Sequence, residues 1–260
     1  MSEARRLGRA HAQDLLRDKD AIMTTHIGTS GWNYKHWLGP FYPEKFPAKN
    51  MLAFYSEHFD TVEINATHYH LPNFKSFETW RETVPKNFVF AVKASRFTTH
   101  MKKLKSPKAS TEKFFVRVEK LQEKLGPILF QLPPRWKVNV ERLATFLSAM
   151  PREYRYTFEF RDQTWFTSEV YDVLRSHNAA LCFYHQTGYD SPQEITANFL
   201  YVRLHGTESK YGGSYPDSAL KEWARRIRRW RKQSKDVYFY FNNDPEGHAI
   251  KNGLVLKQML

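Results

Sequence analysis

The chain has 260 residues, among them 20 Phe, 14 Tyr, 7 Trp and one Cys, and a formal net charge of +13. Such a composition supplies a large core and rules out an intrachain disulfide; no apolar run reaches the ~18 residues of a membrane-spanning helix. The first residues lack the apolar stretch of a secretory signal, so a cytoplasmic protein with no membrane partner is expected.

Residues 1–22 are polar and without an apolar face, and they read as a flexible N-terminal extension to a domain spanning 23–260. Eight short runs rich in Val, Ile, Phe and Tyr follow, at 25–29, 61–67, 88–95, 128–133, 156–161, 180–185, 200–206 and 237–243. Between them, 3.6-residue periodicity predicts helices over 49–58, 74–83, 111–125, 140–149, 168–177, 218–234 and 249–260, the third stopped by Gly126-Pro127. Strand and helix alternating in this way describe an α/β protein, a single-domain (β/α)8 barrel of the TIM type. In that fold the active site lies at the C-terminal ends of the strands.

Alternate residues of a barrel strand face the lumen. Val62 and Ile64 suit the helix side, which turns Glu63 and Asn65 inward; Phe158 and Phe160 likewise turn Glu159 and Arg161 inward, and Val202 and Leu204 turn Arg203 and His205 inward. The same phase brings in Lys93, Gln131 and either Asn242 or Asn243. Two explanations compete. One is an internal network in which Arg161, Arg203 and Lys93 neutralise Glu63 and Glu159. The other is a site for an anionic substrate, favoured because these groups gather at the functional end of the fold.

In the second case Glu63 or Glu159 is the general base, His205 an acid or base near neutral pH, and Lys93 or Arg203 the stabiliser of negative charge. Trp32, Tyr34, Trp37, Tyr69 and Tyr211 offer stacking faces for a base or sugar ring, or simply pack the rim. The Gly-rich stretch 206–215 and the stretch 242–247 fall where barrels often hold phosphate. His205, His185, Glu63 and Glu159 carry donor atoms for a divalent metal, but the neighbouring Arg and Lys oppose a dication, so a metal cofactor is an alternative and not a requirement. Cys182, inside an apolar run, reads as a buried small hydrophobe.

The basic excess is local. Residues 102–124 hold eight Lys or Arg against three Glu, and 221–235 hold eight against one. In the second segment Trp223, Ala224, Ile227 and Trp230 recur at helical spacing, leaving Arg225, Arg228, Arg229 and Lys232 as a solvated face or a patch for a phosphate backbone.

Several motifs resemble the domain of unknown function 72 family, the YecE-like proteins, over about residues 25–260. They are Ile27-Gly-Thr-Ser-Gly-Trp-Asn-Tyr34, Val62-Glu-Ile-Asn65, Phe90-Ala-Val-Lys-Ala-Ser-Arg-Phe-Thr-Thr-His100, Leu129-Phe-Gln-Leu-Pro-Pro134, Phe158-Glu-Phe-Arg161, Tyr201-Val-Arg-Leu-His-Gly206 and Tyr240-Phe-Asn-Asn243. The resemblance implies a TIM-type barrel. The likeness of that family's fold to metal-dependent apurinic endonucleases implies, by analogy, a nuclease-like phosphodiesterase with DNA or RNA as partner. The alternatives are an acid/base enzyme acting on a small phosphorylated or carboxylated sugar-like metabolite, and a nucleic-acid-binding protein without catalysis. The chain departs from the family pattern at His185, where the sixth strand is expected to end in Asp, and at His68, where an aromatic is common.

Overall fold

The computed structural model describes residues 23–208, 211–233 and 235–260; the extension expected at 1–22 lies outside them. The apolar, β-branched and aromatic runs form β1 (Thr25–Thr29), β2 (Thr61–Ile64), β3 (Val89–Lys93), β4 (Leu125–Gln131), β5 (Tyr156–Glu159), β6 (Ala180–Gln186), the two-residue β7 (Tyr189–Asp190), β8 (Phe199–Leu204) and β9 (Asp236–Phe241). All but β7 are parallel, in the order β1-β9-β8-β6-β5-β4-β3-β2, while β7 folds back antiparallel onto the end of β6. Between β1 and β2 the ring is joined by one parallel bridge, Ser30 to Glu63, where the Gly31 N–H donates to the Glu63 carbonyl at 2.9 Å. The result is the expected α/β architecture, a nearly closed eight-stranded barrel of the TIM type.

The outer layer consists of the helices Met51–Ser56, Phe74–Thr83, Pro107–Val118, Val140–Ser148, Ser168–Ser176, Asp217–Lys232 and His248–Gln258. Each buries an apolar stripe on the strands. In Asp217–Lys232, for example, Leu220, Trp223, Ala224, Ile227 and Trp230 are buried, and Arg225, Arg228, Arg229 and Lys232 are exposed, as the periodicity predicts. No helix among the described residues is long and apolar enough to cross a membrane.

The helix boundary that differs most from expectation is the end of the third helix. The third long helix ends at Val118, and a tighter turn, Glu119–Lys124, with Gln122 at φ 51°, leads directly into β4. Gly126 and Pro127 therefore lie inside a strand. Phe90 pairs with Leu125 but Val92 pairs with Ile128, so β4 carries one extra residue there, a bulge that accommodates a proline lacking the ladder N–H. Two short helical turns follow β2 and β3: Ala66–Tyr69 takes over the end of the run expected at 61–67, and Phe97–Met101 lies in the expected loop.

The lumen is packed solid. Ala91, Ala180 and Cys182 are small and share the lumen with the rings of Tyr201, Tyr238 and Tyr240. Those tyrosines use their hydroxyls. Tyr201 Oη donates to Glu63 at 2.7 Å, and Tyr240 Oη lies 2.8 Å from Thr61 Oγ1. Cys182 is fully buried, and burial pushes its thiol well above the ordinary range.

The seam between β1 and β2 depends on Gly28, because a methyl group added there would run into the backbone carbonyl of Thr61. Gly28→Ala is expected to cost about 1–3 kcal/mol through overpacking. Urea unfolding checks this, and an unchanged midpoint would mean that the seam yields freely.

Candidate anion-binding site

The strand ends bring the inward-facing polar residues into one network. Arg203, fully buried, spans two carboxylates: Nη1 donates to Glu159 Oε2 at 2.6 Å and Nη2 to Glu63 Oε1 at 2.7 Å. Glu63 accepts further from Ser30 Oγ at 2.8 Å and from Tyr201. Glu159 accepts from Gln131 Nε2 at 2.6 Å and from both Nε and Nη2 of Arg161, whose Nη1 donates to Gln186 Oε1 at 2.8 Å. Burial alone would raise the Glu159 carboxyl, but Arg161 and Arg203 outweigh it and hold it well below the usual carboxylate range.

These pairings commit both carboxylates, each of which would have to release a partner to serve as the acid or base expected of it. Both are inaccessible to solvent and saturated with donors, so neither Glu63 nor Glu159 is a free base. His205 is likewise engaged. Arg161 Nη2 donates to its Nε2 at 2.8 Å, and the Asn242 side-chain nitrogen lies 2.9 Å from Nδ1. Burial, reinforced by Arg203, lowers His205 well below the ordinary histidine range, so it stays neutral at pH 7 and does not titrate there as expected.

The donor set does not suit a resident dication either. No group of three or more His, Cys, Asp or Glu among the described residues is placed to hold a metal. The two carboxylates are committed to guanidinium groups, and His185 Nδ1 sits 2.6 Å from the Tyr215 hydroxyl.

Two carboxylates and two guanidinium groups cancel, and Lys93 remains. At the last position of β3 it is only 7% exposed, yet its ammonium makes no hydrogen bond or ion pair with any described residue. Burial, then the nearby Arg203, lowers it from 10.5 to about 8. Lys93 lines a cleft of about 420 Å³ at the mouth, together with Arg96, His68, His100, Gln131 and Arg161. His68 Nδ1 donates to the Ala94 carbonyl at 3.0 Å, and burial, with Lys93 beside it, lowers the ring to about 4. His100 stands edge-on to His68, lowered by burial, Arg96 and Lys93. The cleft wall therefore carries uncommitted cations and neutral imidazoles.

Tyr69 and Tyr211 also line the cleft, so they join Lys93, Gln131 and Arg161 of the expected set. Other expected contacts lie elsewhere. Trp32 packs edge-on against Trp80, and Tyr34 donates its hydroxyl to the Ser30 carbonyl at 2.6 Å. Asn65 stays at the end of β2 with its Oδ1 buried and unpartnered. Asn242 backs His205, while Asn243 ties Gly213 to Asn252 by amide bonds of 2.9 and 3.0 Å. The Gly-rich loop spends amides internally, Thr207 N–H on the Gly212 carbonyl, which removes that donor from the expected phosphate cradle; its positions 209 and 210 lie outside the described residues. Periodicity missed Arg96 and His100, because the wide turn Phe97–Met101 that folds them toward the cleft has no strand or helix pattern.

The two charge types should respond oppositely to removal. Glu159→Gln leaves buried guanidinium groups uncompensated and is expected to cost about 3–5 kcal/mol in urea unfolding. Lys93 has the reverse sign. Below pH 8 the folded and unfolded chains both carry its proton, the folded one at a desolvation cost that fades as pH rises toward 10.5. Lys93→Met should therefore show a higher Tm than the parent at pH 7, a difference that closes by about pH 10; a lower Tm at pH 7 would mean that the ammonium stabilises the mouth.

Residues 26–260 match the family model described as "Protein of unknown function DUF72". The chain is 29% identical to the UPF0759 protein YunF of Bacillus subtilis over an alignment of 268 residues, covering 90% of this chain and 93% of that protein. To the UPF0759 protein YecE of Escherichia coli it is 28% identical over 142 residues, 54% of this chain and 50% of that one. A solved DUF72 family protein of Thermotoga maritima, 29% identical, superimposes with a TM-score of 0.82 over 91% of this chain and 98% of its own. One from Enterococcus faecalis, 16% identical, gives 0.71 over 91% and 95%, a likeness of fold alone. With its motifs, its barrel and a family match over nearly the whole described length in agreement, the chain belongs to the DUF72 family, the YecE-like proteins.

Proposed function

We propose that the cleft at the barrel mouth binds a small phosphorylated or carboxylated metabolite and that Lys93 is the proton-transfer group of an acid/base reaction on it. One observation carries this. Lys93 and Arg96 line the same cleft, and neither has a counter-ion among the described residues. A carboxylate or phosphate is the charge that completes the set, and the cleft volume falls within the range of small-molecule sites. A lysine lowered to about 8 exchanges protons close to neutral pH. Glu63 and Glu159 act as positioning residues that hold Arg203 and Arg161 in place.

A nucleic-acid reading, including a nuclease-like phosphodiesterase, is favoured by the rim. Tyr69 and Met101 are 76% and 71% exposed, Phe97 is also exposed, and Lys102, Lys103 and Lys105 lie among them. Stacking faces interleaved with cations suit a single strand.

Titration calorimetry with inorganic phosphate and simple phosphomonoesters separates these readings. Saturable binding weakened about tenfold or more in Arg96→Ala, roughly 1.4 kcal/mol, supports the small-anion site; unchanged affinity puts the anion elsewhere. Labelled single-stranded DNA and RNA across a salt series tests the rim: a steep loss of affinity with salt, with competition by phosphomonoester, supports nucleic acid. Absent binding at low salt removes it.

A further inference from the structure

We infer that Lys93 is a nucleophilic amine, and that the compound it takes is a small aldehyde or ketone bearing a phosphate or carboxylate, held as an imine on Nζ. This rests on the anion-binding site proposed above and gives Lys93 a covalent role there in place of proton transfer.

The protein itself shows what a structural buried lysine looks like. Lys124 is 6% exposed, close to Lys93, but its ammonium donates to the carbonyls of Arg81 at 2.6 Å and Val84 at 2.7 Å, tying down the end of the helix Phe74–Thr83. Lys93 does nothing comparable. Its nitrogen has no partner among the described residues, its stem is packed at the end of a barrel strand, and it lines an open cleft. A buried cation without a partner is costly unless it serves the chemistry of a site.

The surroundings favour the free amine. The carboxylates that would keep it protonated, Glu63 and Glu159, are already bound to guanidinium groups, and the adjacent charges on Arg203 and Arg161 oppose a further positive charge. Desolvation next to other cations is a recognised way of activating a lysine for carbonyl addition. Arg96 follows on the turn after β3 and supplies a fixed charge for the anionic group. Lys93 and Arg96 both depress His68 and His100, so the two cations act on one small region. The division of labour is plain: Arg96 holds the anion and Lys93 meets the carbonyl carbon.

The step balances without an oxidant or a reductant. The Nζ lone pair forms a bond to the carbonyl carbon as the C=O π pair moves onto oxygen, and one amine proton transfers to that oxygen to give a carbinolamine. The C–O bond then breaks, the second amine proton leaves with the oxygen as water into the open mouth, and the C=N bond forms.

The test is reductive trapping on the full-length protein. Pyruvate and glycolaldehyde phosphate serve as probes with sodium cyanoborohydride, and peptide mass mapping locates the adducts. The expected result is one adduct on Lys93, formed at least about tenfold faster at pH 8 than on exposed lysines such as Lys221. Its rate should level off above pH 8, inorganic phosphate should suppress it, and Arg96→Gln should slow it. Labelling spread evenly over surface lysines overturns the proposal. If phosphate binds and Arg96→Gln weakens it while Lys93 stays unlabelled, the imine falls and the anion site stands; if neither phosphate nor probe binds, both fall. Mapping on the native chain makes the outcome independent of how well a Lys93 variant folds.

Discussion

Two carboxylates with no access to solvent face the lumen from β2 and β5, and the guanidinium of Arg203 on β8 satisfies both. β8 is separated from β5 by β6 and from β2 by β9 and β1, so three well-spaced staves of the barrel meet at one planar group. Only an arginine fork can do this, since it presents parallel donors in two directions and keeps its charge at any ordinary pH. The arrangement is not free of cost, because Arg203 Nε is buried without a partner. Its effect is best understood as specificity: ion pairs of this kind roughly offset their own desolvation, yet they penalise any packing that separates the partners.

The network also decides what is left over for chemistry. Once Arg161 and Arg203 have neutralised Glu63 and Glu159, the positive charge facing the cleft belongs to Lys93 and Arg96. The glutamates, which most resemble catalytic groups on paper, are held in ion pairs, and the lysine left outside those pairs is the reactive group of the proposal.

The barrel was legible because period-two alternation holds in the strands that carry the polar cluster: Val62 and Ile64 against Glu63, Phe158 and Phe160 against Glu159, Val202 and Leu204 against Arg203 all fall in the expected phase. Phase says which way a side chain points but not what it meets across 10 Å or so of lumen. The network in which Arg161 and Arg203 neutralise Glu63 and Glu159 is one of the two explanations the phase offered, whereas the isolation of Lys93 from it depends on contacts between strands far apart in sequence. Arg96 and His100 escaped for another reason, since a single wide turn leaves no periodic trace. Gly126-Pro127 misled because the pair usually terminates helices, and the bulge that admits it into β4 exists only when β3 lies alongside.

The seam between β1 and β2 ties these themes together. Most neighbouring strands share a ladder of several hydrogen-bonded positions, whereas this junction rests on the Ser30–Glu63 bridge, with Tyr55 and Tyr240 bracing Thr61 through their hydroxyls. It is the stave joint whose parting disrupts the fewest backbone bonds, and Glu63 is one of its two members. Opening of the ring at this joint would draw Glu63 from Ser30, because the residue that closes the ring also holds Arg203. The Gly31 amide, donated across that joint, is the backbone group whose exchange with solvent deuterium would report its opening.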